Sequence, residues 1–494
     1  MSKRLSLEEL KSYLWNSAVL LRTNIDAGAY KQYIFPLLFF KRICDVYDEE
    51  TEKAFEEYGE DAADFDETEL HTFVVPKGYH WNDVRNVSEN VGVAIVEAFR
   101  KVEQANIDKL QGVFGDGAWT NKNRLPDRLL KDMLEHFSSK TLSIANCPED
   151  ELGQGYEYLI KKFADDSGHT AQEFYTNRTV VHLMTEMLKP ESGESIYDPT
   201  CGSAGMLISA IAYLKTQNKE WRNVAVYGQE INALTSAIGK MNLFLHGVKD
   251  FSIINGDTLK NPAFVSNDEL QQFNLVLANP PYSINQWDRL AFESDKYGRN
   301  FLGVPTQRRA DFAFIAHILK SLDSKNGRCA ILLPNGILNR YEESKMRLGM
   351  IKLDYVESVI GLGKNLFYNS PMEACILICR TQKTAHRKSK VLFINATHLV
   401  HREGTYSYLS NEDIETIAKA YERFTDMEAF SKVASIEEIL KNDGSLRVSR
   451  YVRKVSDEGL KENEEDFVEN WLTASKKAHD ACQEIIKMLE EGER

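Results

Sequence analysis

Apolar and polar positions along this chain change rhythm twice, and the three rhythms mark three regions. Through residues 1–165 the apolar positions recur at helical spacing. Leu10, Leu14, Ala18 and Leu21 follow Ser6 and Glu9, which stand at capping-box spacing, so a helix is predicted to start there. AYKQYIFPLLFFKRICDVY is a second, strongly apolar helical segment, expected to be interrupted at Pro36, whose ring removes a backbone donor. Over residues 166–435 short β-rich runs alternate with helical ones, which predicts an α/β fold: a parallel sheet with helices on both faces. Strands are expected over Glu194 to Tyr197, Val224 to Gly228, Phe251 to Ile254, Phe273 to Ala278, Arg328 to Leu333, Tyr355 to Ile360, Ala374 to Cys379 and Val391 to Asn395. Helices are expected over Met206 to Thr216, Asn232 to Leu245, Asp311 to Leu322 and Glu342 to Ile351. Residues 436–494 are highly charged and close with a helix in which Trp471, Ser475, Ala478, Cys482, Ile485 and Leu489 form a narrow seam. That seam suits a second helix in coiled-coil fashion, or docking back on its own domain; both readings stand.

Composition adds bounds. With 494 residues, 43% of them apolar, the chain can bury the cores of two or three domains. No uncharged apolar run of about 18 residues occurs, and the start MSKRLSLEELKSYLW mixes charges instead of leading into an apolar signal core, so a soluble cytoplasmic protein without membrane contact is expected. The seven cysteines are scattered, and the close pair Cys375 and Cys379 has no second pair to complete a zinc site. Buried reduced thiols and no metal centre are expected. A net charge of -14 argues against a chain that coats nucleic acid by itself, so any duplex it acts on needs another holder. Thirteen acidic residues with a single lysine lie between Asp45 and Glu69, a solvated face or loop, with mimicry of DNA as the other reading.

The candidate chemistry gathers at strand ends. Asn279-Pro280-Pro281-Tyr282 follows the apolar run Phe273 to Ala278. The amide oxygen and a proline-fixed carbonyl can both accept from one exocyclic amino group, and Tyr282 offers a flat face to a planar base. Asp198-Pro199-Thr200-Cys201-Gly202-Ser203-Ala204-Gly205 joins the first strand to a helix, and its small residues let backbone approach a ligand while helix N–H groups point at it. Asp198 would repel a phosphate and suits a cation or amino group, which favours an amino-acid-like ligand. Glu230 ends the second strand, where a carboxylate takes ribose hydroxyls, although it lies 28 residues after Gly202 rather than the usual spacing of about 20. Asp257, in NGDTL, ends the third strand and can accept from an adenine amino group. Each carboxylate alone reads as a helix cap or a solvated end; three in strand order at carboxyl edges point to one site.

These motifs carry a resemblance. QEFYTNRTVVHLM (172–184), DPTCGSAGML (198–207), GQEIN (228–232), NGDTL (255–259) and ANPPYS (278–283), in that order, resemble DNA adenine-N6 methyltransferases, and most closely the modification subunit of type I restriction-modification systems. AYKQYIFPLLFFKRICD resembles that subunit's helical domain. The resemblance implies a Rossmann-like methyltransferase sheet at 166–435, a mainly helical N-terminal domain at 1–165 and a helical tail at 436–494 for subunit docking. It implies that S-adenosylmethionine is held by Glu173, Phe174, Tyr175, Thr176, Asn177, Arg178, Asp198, Thr200, Gly202, Ser203, Ala204, Gly205, Glu230 and Asp257. Asn279, Pro280, Pro281 and Tyr282 would be catalytic. The implied partners are double-stranded DNA, a specificity subunit, a second modification subunit and an optional restriction subunit.

The expected chemistry needs no titratable base. Adenine N6 is a poor nucleophile because its lone pair is delocalised into the ring, and accepting both its hydrogens would concentrate density on nitrogen as it attacks a sulfonium methyl. The base must first leave the stack at a cost of a few kcal/mol, of which stacking on Tyr282 would return roughly 1 to 3 kcal/mol. Between Ser283 and Arg309 a long segment with few periodic apolar positions carries Arg289, Lys296, Arg299, Arg308 and Arg309, candidates for phosphate contact, with a solvated loop as the other reading. Four rival readings stand beside it: a stand-alone or cytosine-N4 amino-methyltransferase, a protein glutamine methyltransferase, a dinucleotide oxidoreductase and an inactive scaffold. Ser in place of Asn279 would mark the cytosine enzyme, and no G-x-G-x-x-G supports the oxidoreductase.

Overall fold

Ser6 opens the first helix by the predicted device: its hydroxyl accepts from Glu9 N–H at 3.3 Å, and the Glu9 carboxylate accepts from Ser6 N–H at 3.0 Å. This helix, α1 (Leu7–Leu21), buries Leu10, Leu14, Ala18 and Leu21. The computed structural model describes residues 4–166, 176–366, 372–403, 406–452 and the single position 475. By contacts the chain divides into Met1–Val452 and Arg453–Arg494. The seam from Trp471 to Leu489 therefore lies outside the described residues, apart from helical Ser475.

α2 (Lys31–Tyr58) runs unbroken through Pro36, contrary to the expected interruption. Every residue from Tyr33 to Cys44 is buried. One missing backbone hydrogen bond is outweighed by an apolar surface enclosed on all sides, with each buried large side chain contributing about 1.5–3 kcal/mol. α3 (Val91–Ala105), α4 (Asp127–Ser138) and α5 (Glu149–Asp166) are the other long helices of this region, with short helical turns at Glu67–Leu70, Trp81–Arg85 and Ile107–Leu110 between them. The acidic run is only partly solvated. Asp45 accepts from Leu142 N–H at 2.7 Å, Glu49 from Ile144 N–H at 2.5 Å and Glu50 from Thr72 N–H at 2.9 Å, so these three tie down neighbouring loops.

Next come α6 (Arg178–Leu188), β1 (Ser195–Asp198), α7 (Gly205–Thr216), β2 (Ala225–Glu230), α8 (Ala233–Leu245), β3 (Phe251–Asn255), β4 (Leu275–Ala278), α9 (Asp311–Lys320), β5 (Arg328–Pro334), α10 (Ser344–Lys352), β6 (Val356–Leu362), β7 (Ala374–Arg380), β8 (Lys390–Ala396), α11 (Asn411–Arg423) and β9 (Ser431–Ser435). The nine strands form one sheet in the order β9-β8-β6-β7-β5-β4-β1-β2-β3. All eight expected strands are present, but the sheet is mixed instead of parallel: β7 runs antiparallel to β5 and β6, and β9 antiparallel to β8. Only 11 residues join Leu362 to Ala374, too few for the helical crossover that a parallel neighbour requires. β9, the one strand of this sheet not foreseen, is a short polar edge segment, SKVAS, without an apolar run to announce it; two small hairpins, Val265–Ser266 with Glu269–Leu270 and His401–Glu403 with Tyr406–Tyr408, were not foreseen either.

α6, α7 and α11 cover one face of the sheet, α9 and α10 the other, and Leu446, Val448, Tyr451 and Val452 continue the second core. α8 joins the sheet to the helical region: its Ala237, Ile238, Met241 and Leu245 enter the core built by α1 to α5. The six described cysteines are buried and not in disulfides, with Cys329 and Cys379 opposite each other in the register of β5 and β7; Cys482 lies outside the described residues. Among the described residues no helix is long and apolar enough to cross a membrane, and no cluster of ligating side chains suits a metal ion.

Strand order reverses between β1 and β4, so the carboxyl ends of β1, β2 and β4 open on one edge at the switch point.

Candidate active site

Asp198 closes β1 fully buried, and its Oδ1 accepts from Thr200 N–H at 3.0 Å. Burial, with Glu230 adding, pushes its carboxyl up to about 8. The following loop doubles back through left-handed conformations at Gly202 (φ 53°) and Ala204 (φ 64°), the second unusual for a residue with a Cβ. Cys201 N–H donates to Gln229 at 3.0 Å and Ala204 N–H to Cys201 at 2.7 Å. α8 presses on this loop through Gly239, where a Cβ would stand 2.9 Å from the Gly202 carbonyl, and Asn242 Nδ2 donates to the Ser203 carbonyl at 2.8 Å. Ser203 is buried beneath it. At Gly205, the first residue of α7, the space for a Cβ is taken by the Arg178 guanidinium, whose Nε donates to Glu157 at 2.7 Å.

Glu230 ends β2 and clasps this loop, accepting from Gly202 N–H at 3.0 Å and Asn232 N–H at 2.8 Å. The next side chain, Ile231, is 66% exposed, an apolar surface at the same edge that the sequence pattern did not single out. Asp257 caps its own turn, accepting from Leu259 and Lys260 N–H at 2.9 and 3.1 Å. Its neighbour Thr258 donates to the Pro199 carbonyl at 2.5 Å, joining NGDTL to DPTC.

Asn279 stands half-exposed one residue beyond β4. Its Nδ2 donates to Thr176 Oγ1 at 3.0 Å, and its Oδ1 accepts from the Tyr282 hydroxyl. Pro280 is buried and Pro281 exposed. Burial, with Cys375 and Asp311 nearby, holds the Tyr282 phenol well above its ordinary range, so it stays a donor. Ser283, at φ 52°, donates its N–H to Asp311 Oδ1 at 2.9 Å, and Asp311 Oδ2 meets Arg340 at 3.3 Å. Asp311 is thus the support of the NPPY loop, a role without a local sequence signal because it lies 28 residues away on α9.

Glu173, Phe174 and Tyr175 lie outside the described residues. Asn177 is buried with both ends of its amide engaged: it caps α6 by accepting from Thr179 N–H at 3.1 Å and donates to the Ser407 carbonyl at 2.7 Å. Thr176 and Arg178 reach the site on either side of it.

The segment after Ser283 is more structured than its pattern suggests, carrying short helical turns at Arg289–Glu293 and Arg299–Leu302 over buried Trp287, Phe292 and Leu302. Arg299 is withdrawn from any phosphate. Its side chain and that of Asp295 are each 3% exposed and 2.6 Å apart, and it donates to the Thr258 and Leu259 carbonyls at 3.0 and 2.9 Å. Arg289 meets Glu293 and the Pro305 carbonyl, Arg309 meets Glu342, and Lys296 lies over the Tyr297 ring. Arg308 is exposed. The NGDTL loop is therefore stitched to the DPTC loop through Thr258 and to the segment after the NPPY loop through Arg299.

Residues 148–459 match the family model described as N-6 DNA Methylase, and residues 10–137 that of the HsdM N-terminal domain. The type I restriction enzyme MjaVIII methylase subunit of Methanocaldococcus jannaschii is 34% identical over 482 residues, spanning 92% of this chain and 80% of the relative. The type I restriction enzyme HindI methylase subunit of Haemophilus influenzae is 31% identical over 394 residues, spanning 76% and 85%. The crystal structure of the type I restriction-modification methyltransferase subunit from Streptococcus thermophilus superposes with a TM-score of 0.79 at 29% identity, covering 91% of this chain and 100% of that one.

Proposed function

This chain belongs to the N-6 DNA methylase family, and from that membership we propose how its residues divide the work of methyl transfer. The protein is an adenine-specific DNA methyltransferase that uses S-adenosylmethionine, as the modification subunit of a type I restriction-modification system.

The edge at the switch point fits such a cofactor. A tight loop offers backbone at Gly202 to Gly205, a carboxylate at Glu230 faces the ribose hydroxyls, Ile231 gives the adenine ring an apolar surface, and Asp198 takes the methionine ammonium. Arg178, whose guanidinium lies against Gly205 at the start of α7, suits the methionine carboxylate, and Asp257 the adenine amino group. The bound cofactor supplies an electrophilic methyl on a sulfonium. On the target side, Asn279 Oδ1 and the Pro280 carbonyl accept the two N6 hydrogens of an extruded adenine, Tyr282 lies against its ring, and Pro281 holds the turn. Because these acceptors are already oriented, they match the charge that grows on N6 without reorganising, and alignment contributes several kcal/mol more.

The observation that carries this reading is the half-exposed amide of Asn279 at the end of β4, beside the β1 end that bears Asp198, and held by Thr176 and Tyr282. Labelled methyl transfer to DNA, with the modified base identified as N6-methyladenine, tests it. Asn279→Ala should lower turnover by at least about 10²–10³-fold, with cofactor binding retained. Full activity in that variant overturns the assignment.

The protein works in a complex with other subunits. We assign sequence reading and the grip on DNA to a specificity subunit in trans, alongside a second modification subunit and a restriction subunit, because a chain of charge -14 does not hold a duplex alone. Residues 453–494 are the docking element in this reading, and the cytoplasm is where it works.

A further inference from the structure

The amide of Asn279 has two ends, and only its oxygen serves the reaction, so something must decide which end faces the amine. Oxygen and nitrogen exchange places by a half-turn at little steric cost. Here Nδ2 donates to Thr176 Oγ1 at 3.0 Å, 103 residues earlier in the chain, and Oδ1 accepts from the Tyr282 hydroxyl. Both neighbours are hydroxyls, able in principle to donate or accept, but they are unequal. The phenol shares its oxygen lone pair with the ring, which makes it the stronger donor and poorer acceptor; the aliphatic hydroxyl is the better acceptor. A phenol on the oxygen side and an alcohol on the nitrogen side therefore both favour the orientation observed.

Thr176 is itself fixed from outside the catalytic loop. It immediately precedes Asn177, the buried cap of α6, whose amide is bound to Ser407 and Thr179. The anchor for the amide nitrogen is thus set by a helix start and not by the segment that carries Asn279.

Resting on the reading that Asn279 accepts from adenine N6, we propose that Thr176 is a positioning residue for methyl transfer: its hydroxyl oxygen takes one Nδ2 hydrogen and sets the amide orientation before the base arrives. The second lone pair of Oδ1 is left for the substrate amine. Thr176 then acts on the target-base half of the site, where the resemblance to known methyltransferases had placed it among cofactor contacts.

The test uses the assembled modification complex and DNA containing its recognition site. Thr176→Val keeps the shape and removes the acceptor. It should lower kcat by about 10- to 100-fold, the scale of a misplaced catalytic group, while KM for the cofactor and for DNA stays within about twofold. Thr176→Ser, which restores the hydroxyl, should recover kcat to within about threefold of wild type. Thr176→Ala serves as a second acceptor-free variant if the valine protein does not fold. Wild-type kcat in an acceptor-free variant, or a loss of cofactor binding that parallels the loss of rate and is not rescued by serine, overturns the proposal. Full activity of Asn279→Ala would instead sink the reading beneath it, so the two failures are distinct.

Discussion

The guanidinium of Arg178 lies against Gly205 so closely that a Cβ on that glycine would stand 1.7 Å from Nη1. Gly205 begins α7 with no left-handed backbone to justify it, so this glycine is required for room and not for torsion. The contact brings a cation to a helix N-terminus, an unfavourable place that the Glu157 carboxylate offsets.

Gly205→Ala should displace that guanidinium, weaken its pairing with Glu157, and destabilise the protein by about 1–3 kcal/mol through overpacking. Cofactor affinity should fall in the same variant. Thermal unfolding with and without S-adenosylmethionine measures both effects, and an unchanged ligand-induced shift would refute the role of Arg178.

Cofactor binding should tighten as pH rises. The Asp198 carboxyl is pushed up to about 8, so below that pH it is largely protonated, while a methionine ammonium favours the carboxylate. Binding then releases a proton, and affinity gains up to about tenfold per pH unit between pH 6 and 8. Calorimetry in buffers of different ionisation enthalpy detects the proton, and Asp198→Asn should flatten the dependence. The stability of the unliganded protein moves the other way. Its folded state keeps a proton that the unfolded state releases near 3.8, so this group's contribution falls as pH climbs from there to about 8.

Two arginines of one loop should behave oppositely. Arg299→Ala leaves Asp295 buried without its partner and should cost about 3–5 kcal/mol in denaturant unfolding. Arg308→Ala should leave stability within about 0.5 kcal/mol, yet weaken DNA binding by the complex and reduce its salt slope by about one. A stable Arg299→Ala protein would contradict the structural role given to that residue.

Truncation after Val452 should leave cofactor binding intact and abolish copurification with the specificity subunit. The division of the chain falls at that point, and Trp471 to Leu489 supplies the apolar seam. Assembly of the truncated chain would place the docking surface elsewhere.

Local pattern determined much of this protein. The capping box at Ser6, eight of the nine strands of the large sheet and the order of the motifs at strand ends are all written in spacings of two to four residues or in short runs, where backbone geometry and side-chain periodicity act directly. Tertiary structure decided what depends on partners far along the chain. Pro36 stays helical because its surroundings are buried, and β7 turns antiparallel because its connection is short. Arg299, legible only as a charge, is drawn inside by Asp295 and two carbonyls. Asn279 stands out from its motif alone, but the hydroxyls bonded to its amide come from Tyr282 three residues on and Thr176 over a hundred residues back. A hydrogen bond across that separation leaves no periodicity in the sequence, because the tertiary packing that brings α6 and β4 together, and nothing local, offsets the entropy of joining them.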